Sequence, residues 1–358
     1  MFIESVELNN FRNYENLKIE FDPGTNLLWG MNAQGKTNIL ESLYLCGTTK
    51  SHRGSKDKDM VRLGQDEGHI RMMIMKNDNE IRIDMHLKKQ RAKGIAINGQ
   101  PIKRAADLFG LVSMVFFSPE DLNIIKNGPS ERRRFIDLEL SQIDRLYLMN
   151  LTRYQKSLMQ RNKLLHEIYF RPELIQELDV WDEQLITYGE AVIDKRESFI
   201  ETLNEIVKDL HAGITGGSEK IEIKYEPSAE KGLLRKKIEA DRNRDLKNQS
   251  TGSGPHRDDL GVMINGMDAR LFGSQGQQRT AALSLKLSEI ELLKRHIHDN
   301  PILLLDDVLS ELDEKRQQYL LDGIKETQTF ITCTGIDELA RSHFKVDRTF
   351  HVVSGGVE

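Results

Sequence analysis

Residues Gly30 to Thr37 read GMNAQGKT, a fit to G-x-x-x-x-G-K-[ST], and no other stretch limits the possible folds as strongly. An apolar strand-like run, Asn26 to Trp29, leads into it, and the helix-like NILESLYL follows. With Gly and Lys at average frequency, a chance match in this length is on the order of one in a hundred, and the flanks lower it further. Gly30 and Gly35 let the backbone N–H groups of Met31, Asn32, Ala33 and Gln34 turn inward around phosphates, where a helix N-terminus adds the positive end of its dipole. Lys36 offers a cation to β- and γ-phosphates, and Thr37 a hydroxyl to Mg²⁺. An α/β core with a nucleotide site follows.

Pro301 to Asp306 read PILLLD, and Asp307 comes next. An apolar run ending in a carboxylate suits a buried parallel strand whose C-terminal edge opens on the phosphate site. Asp306 is then the candidate to hold Mg²⁺, and Asp307 to orient or deprotonate an attacking water. Lys36 and Asp306 stand 270 positions apart. Small nucleotide kinases do not carry so large an insertion, so the spacing favours a split ATPase head.

Between the halves lies Phe272 to Arg279, FGSQGQQR, and the amphipathic TAALSLKLSEIELLK follows it. This element resembles the signature loop of ABC-type ATPases, and Ser310-Glu311-Leu312-Asp313 resembles their D-loop. A helix N-terminus with the hydroxyl of Ser274, the bare backbone of Gly276 and the amide of Gln277 is a second anion site. In those relatives it meets the γ-phosphate held by another subunit, which implies a homodimer closed on ATP by two-fold symmetry.

The rest of the chain divides by pattern. Residues before about 100 alternate as short strands, and Asn98-Gly99 and Asn265-Gly266 mark two-residue hairpins. From Ser130 to His211 the spacing is helical, with a break at Arg171-Pro172, which predicts two long helices folded back on each other. Residues 213–254 turn to Gly, Ser, Lys and Arg and read as a loosely specified basic segment. The expected domains are an ATPase lobe of 1–118 and 250–358 and a helical arm lobe of 119–249. Lys and Arg total 51 against 56 Asp and Glu, a net charge of −5, so any nucleic-acid contact has to be a local basic face. No apolar run nears the roughly 18 residues of a bilayer span, the opening FIESVELNNFRNY does not read as a signal peptide, and only Cys46 and Cys333 occur, from which a cytoplasmic protein without a membrane partner is expected.

Nearly end to end, the sequence resembles the RecF family of bacterial recombinational repair, SMC-like ABC ATPases. The resemblance rests on Asn10 to Tyr14 (NFRNY), GMNAQGKTNILES, Ser51-His52-Arg53, Phe116 to Asp137, Gly254 to Asp259 (GPHRDD), GSQGQQRT and LLLDDVLSELD. It implies an α/β ABC-type P-loop head with an inserted, mainly helical second lobe that dimerises on ATP, binds DNA and hydrolyses ATP slowly. It also implies work with RecO and RecR to bring RecA to single-strand gaps, and a nucleotide contact by Arg12. Several positions depart from the wider ABC class, among them Ser118, Pro119 and Glu120 after MVFF, where a Q-loop glutamine is usual. Asp307 stands in place of Glu, one methylene shorter, so slow turnover is expected, and Thr332 and Thr334 stand where a switch histidine is usual. For DNA the candidates are Lys50, Arg53, Lys56 and Lys58; Lys88, Lys89, Arg91 and Lys93; and Arg132, Arg133 and Arg134, all suited to backbone phosphates rather than bases. A soluble P-loop phosphotransferase and an ABC transporter motor are the competing readings, and the signature loop and the 270-position split speak against the first.

Overall fold

The computed structural model describes residues 1–297, 299–324, 326–335 and 345–358. They form two compact units, Met1–Asp121 with Glu289–Glu358, and Leu122–Ser288.

The first unit holds two six-stranded sheets. One is antiparallel, in the order Tyr14–Glu20, Phe2–Phe11, Glu67–Lys76, Asn79–Lys88, Gly94–Ile97, Gln100–Pro101. Its strands alternate: Ile70, Met72 and Ile74 are buried while their neighbours His69 and Arg71 are exposed, as a sheet with one covered face requires. Asn98 and Gly99 close its last hairpin with φ of 50° and 78°, the left-handed pair that an Asn-Gly turn supplies.

The other sheet runs Gly356–Val357, Arg348–Val353, Thr25–Trp29, Thr329–Cys333, Ile302–Asp306, Met114–Phe117, parallel except at its Gly356–Val357 edge. Every residue of Ile302–Asp306 and Thr329–Cys333 is buried, so these strands show no alternation of covered and exposed positions. Gln328 links the two sheets: its Oε1 accepts from Ile3 N at 2.7 Å, and its Nε2 donates to the carbonyls of Ile3 and Asp22, each at 2.8 Å.

The second unit is mainly helical. Pro129–Ile143 opens with a proline in its first turn, and Arg145–Ile168 and Leu178–Thr215 are the two long helices, separated by a 3₁₀ turn that begins at Pro172. A three-stranded sheet orders Met267–Asp268, Asp259–Ile264 and Ile221–Glu226. That pairing groups residues 250–288 with this unit.

Residues 213–254, expected as a loose segment, contain strand Ile221–Glu226 and helix Leu234–Asn248. The helix is fixed by Leu234 and Ile238, both fully buried against Tyr154, Leu185 and Ile193. Its inward stripe continues as Asp241 and Asp245, and Asp245 accepts from the buried Arg161 at 2.8 Å while Asp182 accepts from the same guanidinium at 2.6 Å. Among the described residues no helix is long and apolar enough to cross a membrane.

Candidate nucleotide site

The phosphate loop links strand Thr25–Trp29 to helix Lys36–Thr48. Gly30 has φ +146° and Gly35 φ +123°, and a Cβ on Gly35 would lie 2.4 Å from the Tyr14 hydroxyl oxygen, so neither position accepts a side chain. Between them Met31, Asn32 and Ala33 are exposed and Gln34 is half-buried. The loop is held from outside: Asn13 Nδ2 donates to Gln34 O at 2.9 Å, and Ser354 N donates to Gln34 Oε1 at 2.6 Å. The helix start has no side-chain cap and no acidic residue in its first turn, which leaves its N–H groups and dipole for an anion. Lys36 is buried, with Nζ donating to the carbonyls of Gly30 at 2.7 Å and Met31 at 3.1 Å.

Thr37 Oγ1 donates to Asp306 Oδ1 at 2.8 Å, so the two halves of the motif meet within one unit. The strand between them adds Thr332, whose hydroxyl donates to Asp306 Oδ1 at 2.9 Å and accepts from Asp307 N at 2.9 Å. Burial holds the Asp306 carboxyl above the usual carboxylate range, against the lowering hydrogen bonds from Thr37 and Thr332; Asp307 adds to the rise, and the charge of Arg53 opposes it. A buried carboxylate beside a hydroxyl, short of countercharge, is the oxygen donor set that suits a hard divalent cation such as Mg²⁺. Asp307 turns out of the strand with φ +52°. The Tyr14 hydroxyl, fully buried against Gly35 and with no hydrogen-bond partner among the described residues, is a further polar atom at the loop.

In the second unit Ser274 opens helix Gln275–Ile297. Its Oγ accepts from Gln277 N at 3.2 Å, and Gln277 Oε1 accepts from Ser274 N at 2.9 Å, a reciprocal capping box. The Ser274 hydroxyl is therefore half committed, and its proton remains a donor. Gly276 is exposed, and a Cβ there would meet only Ser274 Oγ, at 3.9 Å.

The RecF/RecN/SMC N terminal domain family matches residues 2–354. The DNA replication and repair protein RecF of Agathobacter rectalis is 61% identical over 358 residues, 100% of this chain and 99% of that protein. The chain belongs to the RecF family. The RecF of Clostridium perfringens is 43% identical over 363 positions, covering 100% of both chains. A solved structure described as the recombination mediator protein RecF-ATP in the RecFOR pathway superposes with TM-score 0.94 at 38% identity, over 100% of this chain and 97% of that one. An Smc head bound to the C-winged helix domain of ScpA, at 15% identity and TM-score 0.58, shares the fold over 100% of this chain and 96% of its own. The chain is thus a DNA replication and repair protein built as an SMC-like ABC ATPase, and the small-substrate phosphotransferase is not favoured.

Against this RecF framework the remaining expected residues separate. Arg12, at φ +53°, binds Glu41 in bidentate fashion at 2.8 and 2.7 Å and also donates to Ser55 Oγ and Asp59 O, each at 2.8 Å. Burial alone would raise the Glu41 carboxyl, but hydrogen bonds from Arg12 and Ser51, with the Arg12 and His52 charges, hold it below its ordinary value. Among the described residues the Arg12 bonds engage four of its five N–H donors.

Arg53, Lys56 and Lys58 are exposed. Lys93 is taken up by Thr49 O at 2.5 Å and Asp57 at 2.8 Å. Arg132 is the clear correction: only 5% of its side chain is exposed, and it forks onto Asp259 at 2.6 and 2.8 Å and caps the carbonyls of Ile124 and Asn127, so it braces its unit and presents no face to DNA. Arg133 is half-buried and donates to Asp258 O at 2.7 Å, whereas Arg134 is exposed. Sequence reasoning missed Thr332 as a partner of both acids; its signal was a hydroxyl at the end of an apolar strand beside the acidic one.

Proposed function

We propose that this RecF-family chain is an ATP-switched DNA clamp of the cytoplasm. Two copies close head to tail over ATP and Mg²⁺, hold DNA at single-strand gaps, and act with RecO and RecR to bring RecA there. The observation that carries the reading is the 2.8 Å hydrogen bond from Thr37 to Asp306, which joins two motifs 270 positions apart into one site. The relative solved as RecF-ATP, similar along the whole chain, supports the same nucleotide.

In this reading the loop N–H groups from Gly30 to Thr37 bind the phosphates, Lys36 supplies the cation to the β- and γ-oxygens, and Thr37 and Asp306 hold Mg²⁺. When bound, the metal ion neutralises charge that builds on the phosphate oxygens. Asp307 orients the attacking water and accepts its proton, and Thr332 fixes the Asp307 backbone by accepting the hydrogen bond from its amide N–H. The carboxylate of Asp307 is one methylene shorter than Glu, which fits weak, DNA-stimulated hydrolysis used as a switch. Ser274, Gly276 and Gln277 of one copy touch the nucleotide held by the other. Arg53, Lys56 and Lys58 on the first unit, and Arg134 on the second, are each basic contacts to DNA phosphates.

The test is DNA retention in a native gel with ATP, with ADP and with Lys36→Met, alongside sizing of the same samples. A retained complex and a dimer with ATP alone, both lost in Lys36→Met, are expected. Equal retention in all three, or a monomer with ATP, overturns the clamp.

A further inference from the structure

Glu67, His69 and His86 converge on the antiparallel sheet of the first unit, at the open end of the hairpin made by Glu67–Lys76 and Asn79–Lys88. Strand geometry brings them together. Glu67 and His69 are two residues apart and share a face, and His69 pairs directly across with His86. Each offers one ligand atom, and the three atoms lie within 4.8 Å of one another. The two imidazoles stack with centroids 4.0 Å apart, and His86 Nε2 lies 2.6 Å from Glu67 Oε2.

We propose that Glu67, His69 and His86 form a binding site for a borderline divalent transition cation, zinc foremost. Two imidazoles and one carboxylate are a donor set that zinc accepts, at about 2.0–2.2 Å per ligand, and small side-chain rotations bring the three atoms to that spacing. Glu67 is 54% and His86 29% exposed, so a fourth position faces solvent and takes water or a further ligand. The surrounding charge sets the selectivity. Lys88 faces Glu67 across the strands, and Asp84 is already engaged by Arg71 and Arg82, each at 2.8 Å. A hard cation that relies on net negative charge gains little there, whereas one bound through imidazole nitrogen does not depend on it. The bound ion would pin two strands at the end of the hairpin away from its Asn77-Asp78 turn. The site shares no residue with the nucleotide site and does not rest on that reading.

The experiment uses the full chain stripped with chelator and kept in excess Mg²⁺, titrated with Zn²⁺ by calorimetry and with Co²⁺ by visible absorption. One equivalent, undisturbed by Mg²⁺, is expected, with Co²⁺ giving the d–d bands of a low-coordinate nitrogen and oxygen site. His86→Asn and His69→Gln should each weaken binding by about tenfold or more, and Zn²⁺ should raise the melting temperature of the unsubstituted chain but not of either variant. Circular dichroism checks that the variants fold. Binding equal in the unsubstituted chain and both folded variants, or no uptake of Zn²⁺ in the presence of Mg²⁺, overturns the proposal.

Discussion

Thr332 carries two duties with one hydroxyl: it donates to the Asp306 carboxylate and accepts from the Asp307 amide. Thr332→Val keeps the shape and removes both bonds, leaving a buried carboxylate with one donor fewer and an amide without an acceptor. Each loss costs about 1–3 kcal/mol. We expect a roughly tenfold or larger drop in ATP hydrolysis, with ATP affinity changed far less, because the phosphate loop itself is untouched; single-turnover hydrolysis against equilibrium ATP binding checks this. Loop residues such as Gly30, Gly35 and Lys36 were legible in the sequence because their geometry is local, set by eight consecutive positions. Thr332 was not, because its role comes from sheet order: Thr329–Cys333 lies between the loop strand and the acidic strand. Arg12 was legible as a special residue but not as the partner of Glu41, since an acid inside the apolar NILESLYL run reads as an ordinary surface position.

At the level of elements, the long helices followed from apolar spacing and the break at Pro172. Helix Leu234–Asn248 did not, because its buried stripe of Leu234, Ile238, Asp241 and Asp245 is half aspartate, and the apolar period disappears where Arg161 and Ser253 supply the partners. The GPHRDD turn shows a similar exchange of polar for apolar contacts. Its His256 donates from Nε2 to Thr251 O at 3.0 Å and accepts at Nδ1 from the Tyr154 hydroxyl at 2.6 Å, a neutral tautomer fixed at both nitrogens. Burial, foremost, pushes its pKa down to about 4 from 6.5. The unfolded chain then takes up a proton between those values while the folded one does not, so stability falls as pH drops from about 6.5 towards 4, by on the order of 2–3 kcal/mol. Urea unfolding across this range should show that slope, and His256→Gln should flatten it; an unchanged slope would assign the acid sensitivity to other groups.

For the whole molecule, the signature helix bears most directly on assembly. A Cβ at Gly276 lies 3.9 Å from Ser274 Oγ, an ordinary contact, so Gly276→Ile should fold and melt within a few degrees of the parent. If Gly276 serves a second copy, ATP-dependent dimers disappear in sedimentation; dimers that persist would place the contact elsewhere. The sheet order has a consequence for the newborn chain. Among the described residues strand Thr25–Trp29 pairs with Thr329–Cys333 and Arg348–Val353, and both are encoded some 300 residues downstream. At roughly 5–20 residues per second, a ribosome needs on the order of 15–60 s to deliver them. For that interval an apolar segment next to the phosphate loop waits unpaired, so chaperone capture during translation bears on how much working protein a cell obtains.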